Sequence, residues 1–305
     1  MSSPKEALDL HLKHSTRLSD VAVNLDVKPL PCGFPTLEQN EYLLSGEGHL
    51  VTMSARPGNC KTAFSCQIAL NASVHNKVLY FSLEMKRDAL RKRLLAVSAG
   101  IPIRKLGEPV FRQKLEQAMQ DQSKYNLHIV DDSGLSVDDI ISKVYDENSR
   151  EKLCLVVIDY IGILKYSGSK RHEDVATAIT RLKKEVADKL KISVIVLAQM
   201  KRGFEDRYAR AKMEFEKAKQ YKNSEANERI LDVRPGMEDL GESSGLEHAS
   251  DVVMFLQRPC LIDPDQPETA FKVFVAKNRK GEATDFELEF SSALTKFIDH
   301  GGDSI

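Results

Sequence analysis

The sequence lacks a surplus of either charge: Lys+Arg number 44 and Asp+Glu 45, a formal net charge of -1. Attraction of nucleic acid by bulk charge is thereby excluded, and any such binding has to rest on local basic patches. Cysteine is sparse. The five residues Cys32, Cys60, Cys66, Cys154 and Cys260 are scattered and form no C-x-x-C pair, which argues against a zinc or dithiol motif and for a reducing compartment. Long apolar runs are missing too. The stretches "LVVI" and "SVIVLA" fall far short of a membrane span, and the charged start "MSSPKEALDL" has no signal-peptide core. A cytoplasmic protein without membrane contact is expected. No internal repeat or low-complexity tract interrupts the chain.

What is present is a chain of 305 residues with 42% hydrophobic content, enough for one large α/β domain with additions or for two small ones. Short β-branched runs recur: "HLVTMSA" from His49, "VLYFSLE" from Val78, "LHIVDD" from Leu127, "LCLVVIDY" from Leu153, "SVIVLAQ" from Ser193, "DVVMFLQ" from Asp251 and "FKVFVAKNR" from Phe271. Helix-like stretches separate most of them. Apolar strands alternating with helices predict an α/β fold with a largely parallel central sheet flanked by helices on both faces, and functional groups at the carboxyl ends of its strands. Two segments stand outside this pattern. Residues 1–30 read as an N-terminal helical arm, opened by Ser3, Pro4 and Glu6 as N-cap, first-turn proline and capping-box glutamate. Residues 201–229 carry nine Lys/Arg and six Asp/Glu, with Phe204, Tyr208, Ala211, Phe215 and Ala218 spaced as one apolar stripe on a long inserted helix. A solvated helix with one packed face is the plainer reading of that insertion; contact with DNA or a partner is the other.

The stretch "SARPGNCKTAF" approximates G-x-x-x-x-G-K-[ST], the loop whose backbone N–H groups close around phosphate oxygens. Lys61 and Thr62 are in place, but Ala55 and Cys60 stand where the two glycines belong. A strand-like run precedes the turn formed by Arg56, Pro57, Gly58, Asn59 and Cys60, and a helical run follows it. The turn therefore sits at a helix N-terminus, where the dipole and exposed N–H groups favour anions. On these residues alone, a phosphate site and a surface turn that carries a lysine stand level. Asp159 ends an apolar strand, where a Mg²⁺ shared with Thr62 would offset the cost of a buried carboxylate; capping a turn is its alternative role. Glu84 and Gln199 end two further strands: Glu84 reads as a base for an attacking water or as an ordinary helix-start glutamate, and Gln199 as a contact for a terminal phosphate or as a polar strand terminus.

The segments "GFPTLEQ", "ARPGNCKTAF", "YFSLEM", "LHIVDDSGLSVDDI", "LVVIDYIGIL", "LAQMKR", "DLGESSGLEHASDVVMFLQR" and "VAKNRKG" occur in this order. Together they resemble the RecA-like motor domain of DnaB-family replicative helicases, over about residues 30–292. The resemblance implies a RecA-like P-loop ATPase fold over residues 31–305, ATP and Mg²⁺ as cofactors, and a ring, a homohexamer, moving 5′ to 3′ on single-stranded DNA. It implies Lys61 on the phosphates, Thr62 and Asp159 on Mg²⁺, Glu84 as general base and Gln199 as γ-phosphate sensor. Lys277 and Arg279 would reach into the neighbouring subunit's site, Arg279 as an arginine finger. Single-stranded DNA would meet Glu242, Ser244 and Gly245, with Lys201 and Arg202 nearby, although Gly241 stands where the family usually has an arginine. A primase and a helicase loader are implied as partners. About 30 residues precede the motor, room for a linker helix, and the compact form suggests a bacteriophage or mobile-element version. The alternatives are a recombination or repair ATPase of the RecA superfamily and a non-hydrolysing ring scaffold. Cys60 in the glycine position is expected to cost on the order of 1–3 kcal/mol, and its thiol, beside Lys61 at a helix start, is expected to have a lowered pKa.

Overall fold

The computed structural model describes residues 28–166, 171–220, 233–241 and 244–301. The proposed arm before residue 28 and the stretch 221–229 of the predicted inserted helix lie outside the described residues. Two short strands, β1 (Lys28–Pro29) and β2 (Leu44–Ser45), pair with each other. The seven apolar runs all form strands: β3 (Leu50–Ala55), β4 (Lys77–Ser82), β5 (Leu127–Val130), β6 (Leu153–Asp159), β7 (Ser193–Gln199), β8 (Val252–Gln257) and β9 (Ala270–Asn278). With β10 (Phe286–Ser291) and β11 (Lys296–Ile298) they make one sheet in the order β11-β10-β9-β8-β3-β7-β6-β4-β5. The six strands from β8 to β5 pair in parallel, and β9, β10 and β11 add an antiparallel end.

Helices cover both faces because the central strands bury both sets of alternating side chains. Val51, Met53, Val78 and Tyr80 enter one core with Phe64 and Ile68 of α2 (Lys61–Ala72), after a short α1 (Pro35–Gln39). This face also carries α3 (Arg87–Ala99), flanked by α4 (Arg112–Gln122). Leu50, Leu79, Phe81, Val156 and Ile158 enter the other core. They meet there α5 (Val137–Arg150) and α6 (Arg171–Arg181), the latter continuing as a π-helical stretch, Leu182–Asp188. Helix α7 (Gly203–Gln220) follows β7, and the short α8 (Ser244–Ala249) leads into β8. Phe204 and Tyr208 of the predicted stripe are buried and Ala211 is half-buried; the side chains of Phe215 and Ala218 lie outside those described.

The antiparallel end holds α2 in place. Phe64 packs edge-on against Phe34 and Phe297, with centroids 5.1 Å away in both cases. Gln67 clasps the edge strand, donating to the Phe297 carbonyl at 2.8 Å and accepting from its N–H at 2.9 Å. The helix that begins with Lys61 and Thr62 is thus fixed along its length. Beneath the start of β3 lies His49, fully buried, with Nδ1 3.2 Å from the Tyr42 carbonyl and Nε2 without a partner. Burial pushes its pKa down from 6.5 to about 4, with the nearby Asp251 carboxylate opposing. Because the folded value lies below the unfolded one, the contribution to stability is complete above pH 6.5 and is lost as pH falls toward 4. At 1.36 kcal/mol per unit, the loss amounts to about 3 kcal/mol. Urea unfolding of wild type and His49→Phe at a series of pH values checks this: the decline over that window should be shallower in the variant.

Candidate phosphate-binding site

Parallel pairing of β3, β7, β6 and β4 brings their carboxyl ends to one edge. There a cleft of about 300 Å³ is lined by Arg56, Pro57, Gly58, Asn59, Cys60, Lys61, Thr62, Glu84 and Gln199, together with Ala63, Arg93 and Thr295. Every residue predicted for the loop is present; Gln199 reaches the cleft from the end of β7, whereas Glu84 lies in the bend two residues after β4 ends at Ser82. The turn is shaped by two left-handed residues, Gly58 at φ 83° and Cys60 at φ 59°, ψ 23°. That conformation is the reason a glycine belongs at position 60, since a side chain there is strained. The loop is also braced from outside. Asn59 is 5% exposed; its Oδ1 accepts from the Arg258 N–H at 2.7 Å, and its own N–H donates to the Arg56 carbonyl at 3.2 Å.

The Cys60 thiol departs from expectation. Burial pushes its pKa up, and this outweighs the nearby guanidinium groups of Arg258 and Arg93, which pull it down. The sequence pattern offered a helix terminus and a lysine but not the walls of the cleft, and desolvation of the thiolate is the stronger effect here. Arg56 is also committed elsewhere: Nε pairs with Glu205 of α7 at 2.8 Å and Nη1 donates to the Met200 carbonyl at 3.1 Å. Helix α7 is therefore fastened at its start to the phosphate loop.

Asp159 is 1% exposed at the end of β6. Its Oδ2 accepts from the Tyr80 hydroxyl at 3.1 Å, whereas Oδ1 is buried with no hydrogen-bond partner. Burial raises its pKa, the Thr62 and Tyr80 hydroxyls and Lys61 oppose that shift, and Glu84 adds to it. An orphaned buried carboxylate oxygen beside a hydroxyl fits a hard divalent cation. Among the described residues no group of three or more His, Cys, Asp or Glu is placed to hold a metal; an Mg²⁺ held by Thr62 and Asp159 would need its remaining ligands from phosphate and water, as is usual for this ion. Lys61 meanwhile donates to the Ala55 carbonyl at 3.3 Å and lies 5.8 Å from the centroid of Tyr160.

Arg93 was not foreseen. Its Nε is buried without a partner, and the residue lines the cleft from α3. The signal was available: Arg93 is spaced by three, one and four from Leu90, Leu94 and Val97, all buried, so an arginine occupies the apolar side of the helix.

Lys277 and Arg279 are not in the cleft. At the end of β9, Lys277 pairs with Val253 and Asn278 with Val252, at the start of β8. They sit at the amino-terminal edge of the parallel strands, about 20 Å from the phosphate loop by strand length. The residues predicted for DNA are only partly described. Glu242 lies outside the described residues, Ser244 and Gly245 open α8, Lys201 donates to the Glu238 carbonyl at 2.9 Å, and Arg202 is exposed. Gly241 has a local reason of its own, because a Cβ there would lie 2.0 Å from the Gln199 carbonyl oxygen. An arginine at this position would push the segment away from β7.

Replacing Asp159 by Asn removes a buried charge while keeping an acceptor for Tyr80. Thermal melting without metal should show D159N at least as stable as wild type. Mg²⁺-dependent nucleotide hydrolysis should fall by about a hundredfold or more, since metal stabilisation of this kind is worth several kcal/mol.

Comparison with known proteins agrees with this geometry. The chain is 28% identical over 284 residues to the replicative DNA helicase DnaC of Bacillus subtilis, an alignment covering 90% of this chain and 57% of that protein. The chain thus spans little more than half the length of that relative. A solved ATPase domain superimposes with a TM-score of 0.77 at 27% identity, covering 98% of this chain and 99% of the other. A structure described as a DnaB-like replicative helicase and its interactions with primase gives 0.76 at 27% identity, over 98% of this chain and 67% of that one. The family described as the DnaB-like helicase C terminal domain matches residues 30–214 and 221–299. The RecA-like α/β fold, the phosphate loop and these matches agree: this chain belongs to the DnaB-like helicase C-terminal domain family.

Proposed function

We propose that the chain is the ATP-driven motor of a replicative DNA helicase, acting in the cytoplasm as a homohexameric ring that moves 5′ to 3′ on single-stranded DNA and unwinds the duplex ahead. One observation carries this reading: the cleft gathers Lys61, Thr62, Glu84 and Gln199 at one edge of the sheet, with Asp159 buried at the end of β6 on the same edge, and Lys277 and Arg279 stand at the other. A phosphate site that keeps its cation, carboxylates and amide, while Lys277 and Arg279 of the same chain stand away from it, is suited to completion by a second copy.

In this reading the turn N–H groups and Lys61 bind the nucleotide phosphates. Thr62 and the free oxygen of Asp159 hold Mg²⁺, which when bound neutralises charge on the phosphate oxygens. Glu84 is exposed to the cleft and orients and deprotonates the attacking water. Gln199 ends β7 directly before Met200, whose carbonyl binds Arg56, so loss of the terminal phosphate would be felt where α7 begins. Arg93, whose Nε is buried without a partner, adds positive charge on the phosphate side. Arg279 of an adjacent copy supplies the charge that stabilises the transition state. Single-stranded DNA would run past the amides around Ser244 and Gly245, which bind its backbone without reading sequence. A primase and a loader are the partners this role requires.

DNA-stimulated ATP hydrolysis, measured alongside mass in solution, tests the reading. Lys61→Ala should abolish hydrolysis. Cys60→Gly should hydrolyse ATP at least as fast as wild type, because Lys61 and the turn are kept, and should melt at a higher temperature, because relief of left-handed strain is worth on the order of 1–3 kcal/mol to the fold. Equal inactivity of wild type and Lys61→Ala in the presence of DNA would remove the proposal.

A further inference from the structure

Lys277 and Arg279 are anchored, and the anchors lie on α8 and just beyond it. Lys277 Nζ donates to the Glu247 carbonyl at 2.5 Å, and an Arg279 Nη2 hydrogen bond ends on the His248 carbonyl. Both cations therefore hang on the last turn of the helix that Ser244 and Gly245 begin. Arg279 is held a second time, by Asp251. Its N–H donates to the Asp251 carbonyl at 2.9 Å, and Nη1 lies 3.5 Å from Asp251 Oδ1.

Asp251 is itself a junction. It is 5% exposed, and its Oδ2 accepts from the Leu50 N–H at 2.9 Å and from Lys183 Nζ at 2.7 Å. Lys183 also donates to the Gly48 carbonyl at 3.2 Å and pairs with Asp188 at 2.8 Å. One carboxylate thus joins the first residue of β3, the π-helical stretch and the side chain of Arg279. Burial alone would raise its pKa, but Lys183 and the Leu50 N–H outweigh that and hold the carboxyl below its usual range. The group is a fixed negative charge at neutral pH.

Fixing Arg279 matters because its side chain is 46% exposed. A free arginine carries about 2 kcal/mol of rotamer entropy, and catalytic groups lose heavily when displaced by an ångström. We propose that Asp251 is a positioning residue for Arg279, and that α8 makes the placement of Lys277 and Arg279 depend on the segment assigned to single-stranded DNA. The proposal rests on the ring reading above. Movement of α8 by a bound strand shifts the Glu247 and His248 carbonyls, and with them the two cations offered to the neighbouring site. Asp251, tied to β3, is the fixed end against which that shift is made.

The test uses the full chain with ATP and single-stranded DNA. Asp251→Asn keeps an acceptor for the Leu50 N–H and removes the charge from Arg279. Its DNA-stimulated kcat should fall about tenfold, with KM for ATP within about twofold of wild type, because its own phosphate loop lies at the other edge. Mixing it with Lys61→Ala subunits is the decisive step. Those subunits have a dead phosphate loop and a sound Arg279, so the mixture should hydrolyse ATP well above the sum of its parts. A general structural defect would show no such gain. An unchanged kcat in Asp251→Asn, or a mixture no better than its parts, overturns the proposal. If Asp251→Asn does not fold, Asp251→Glu, which keeps the charge but moves the carboxylate from the place where it meets Arg279, carries the same two measurements. Lys61→Ala mixed with Arg279→Ala is the control: absence of gain there removes the trans-acting finger itself, a failure distinct from that of Asp251.

Discussion

Parallel pairing of four apolar strands is the constraint on which the remainder of this molecule depends. Strands β4, β6, β7 and β3 are buried on both faces, and they satisfy their backbone groups by running side by side in one direction. Each must then end at the same edge, where its last residue or the turn that follows is released from the core. Thr62, Glu84, Asp159 and Gln199 meet there as a consequence of that geometry, from segments far apart in the chain. The antiparallel strands serve the same end indirectly. Phe297 and Gln67 lock α2 along its length, so the first turn of that helix is presented from a rigid support.

The site was legible in the sequence to the extent that it is made of strand ends. Asp159 and Gln199 terminate β-branched runs that cannot be mistaken for helix, and the turn at Gly58 and Cys60 lies where a strand pattern gives way to a helical one. What escaped has a physical explanation in each case. Strand β10, "FELEFS", alternates buried and exposed residues along one half-solvated face, a weaker signal than the continuous apolar runs of the centre. Arg93 was hidden in a charge-rich helix that resembles a solvated one. The direction of the Cys60 shift depended on desolvation by side chains distant in sequence, and local pattern carries no trace of that.

The two edges of the sheet divide the chemistry. At the carboxyl edge a buried carboxylate is left with an unused oxygen. At the amino edge another buried carboxylate, Asp251, is saturated by Leu50, Lys183 and Arg279. The first is costly until a cation arrives, and the second is settled already. β3 touches both, with Asp251 bound to its first residue and the phosphate loop leaving its last.

The bond between Asn59 and the backbone of Arg258 has a thermodynamic meaning. It ties the crown of the turn to the residue following β8, so the cradle has its shape before any guest enters. Much of the ordering entropy has been spent during folding, and little of a nucleotide's binding energy is diverted into arranging the loop. Preorganisation of this kind tempers the strain at Cys60: the distortion belongs to the folded protein, and capture of the ligand does not have to create it.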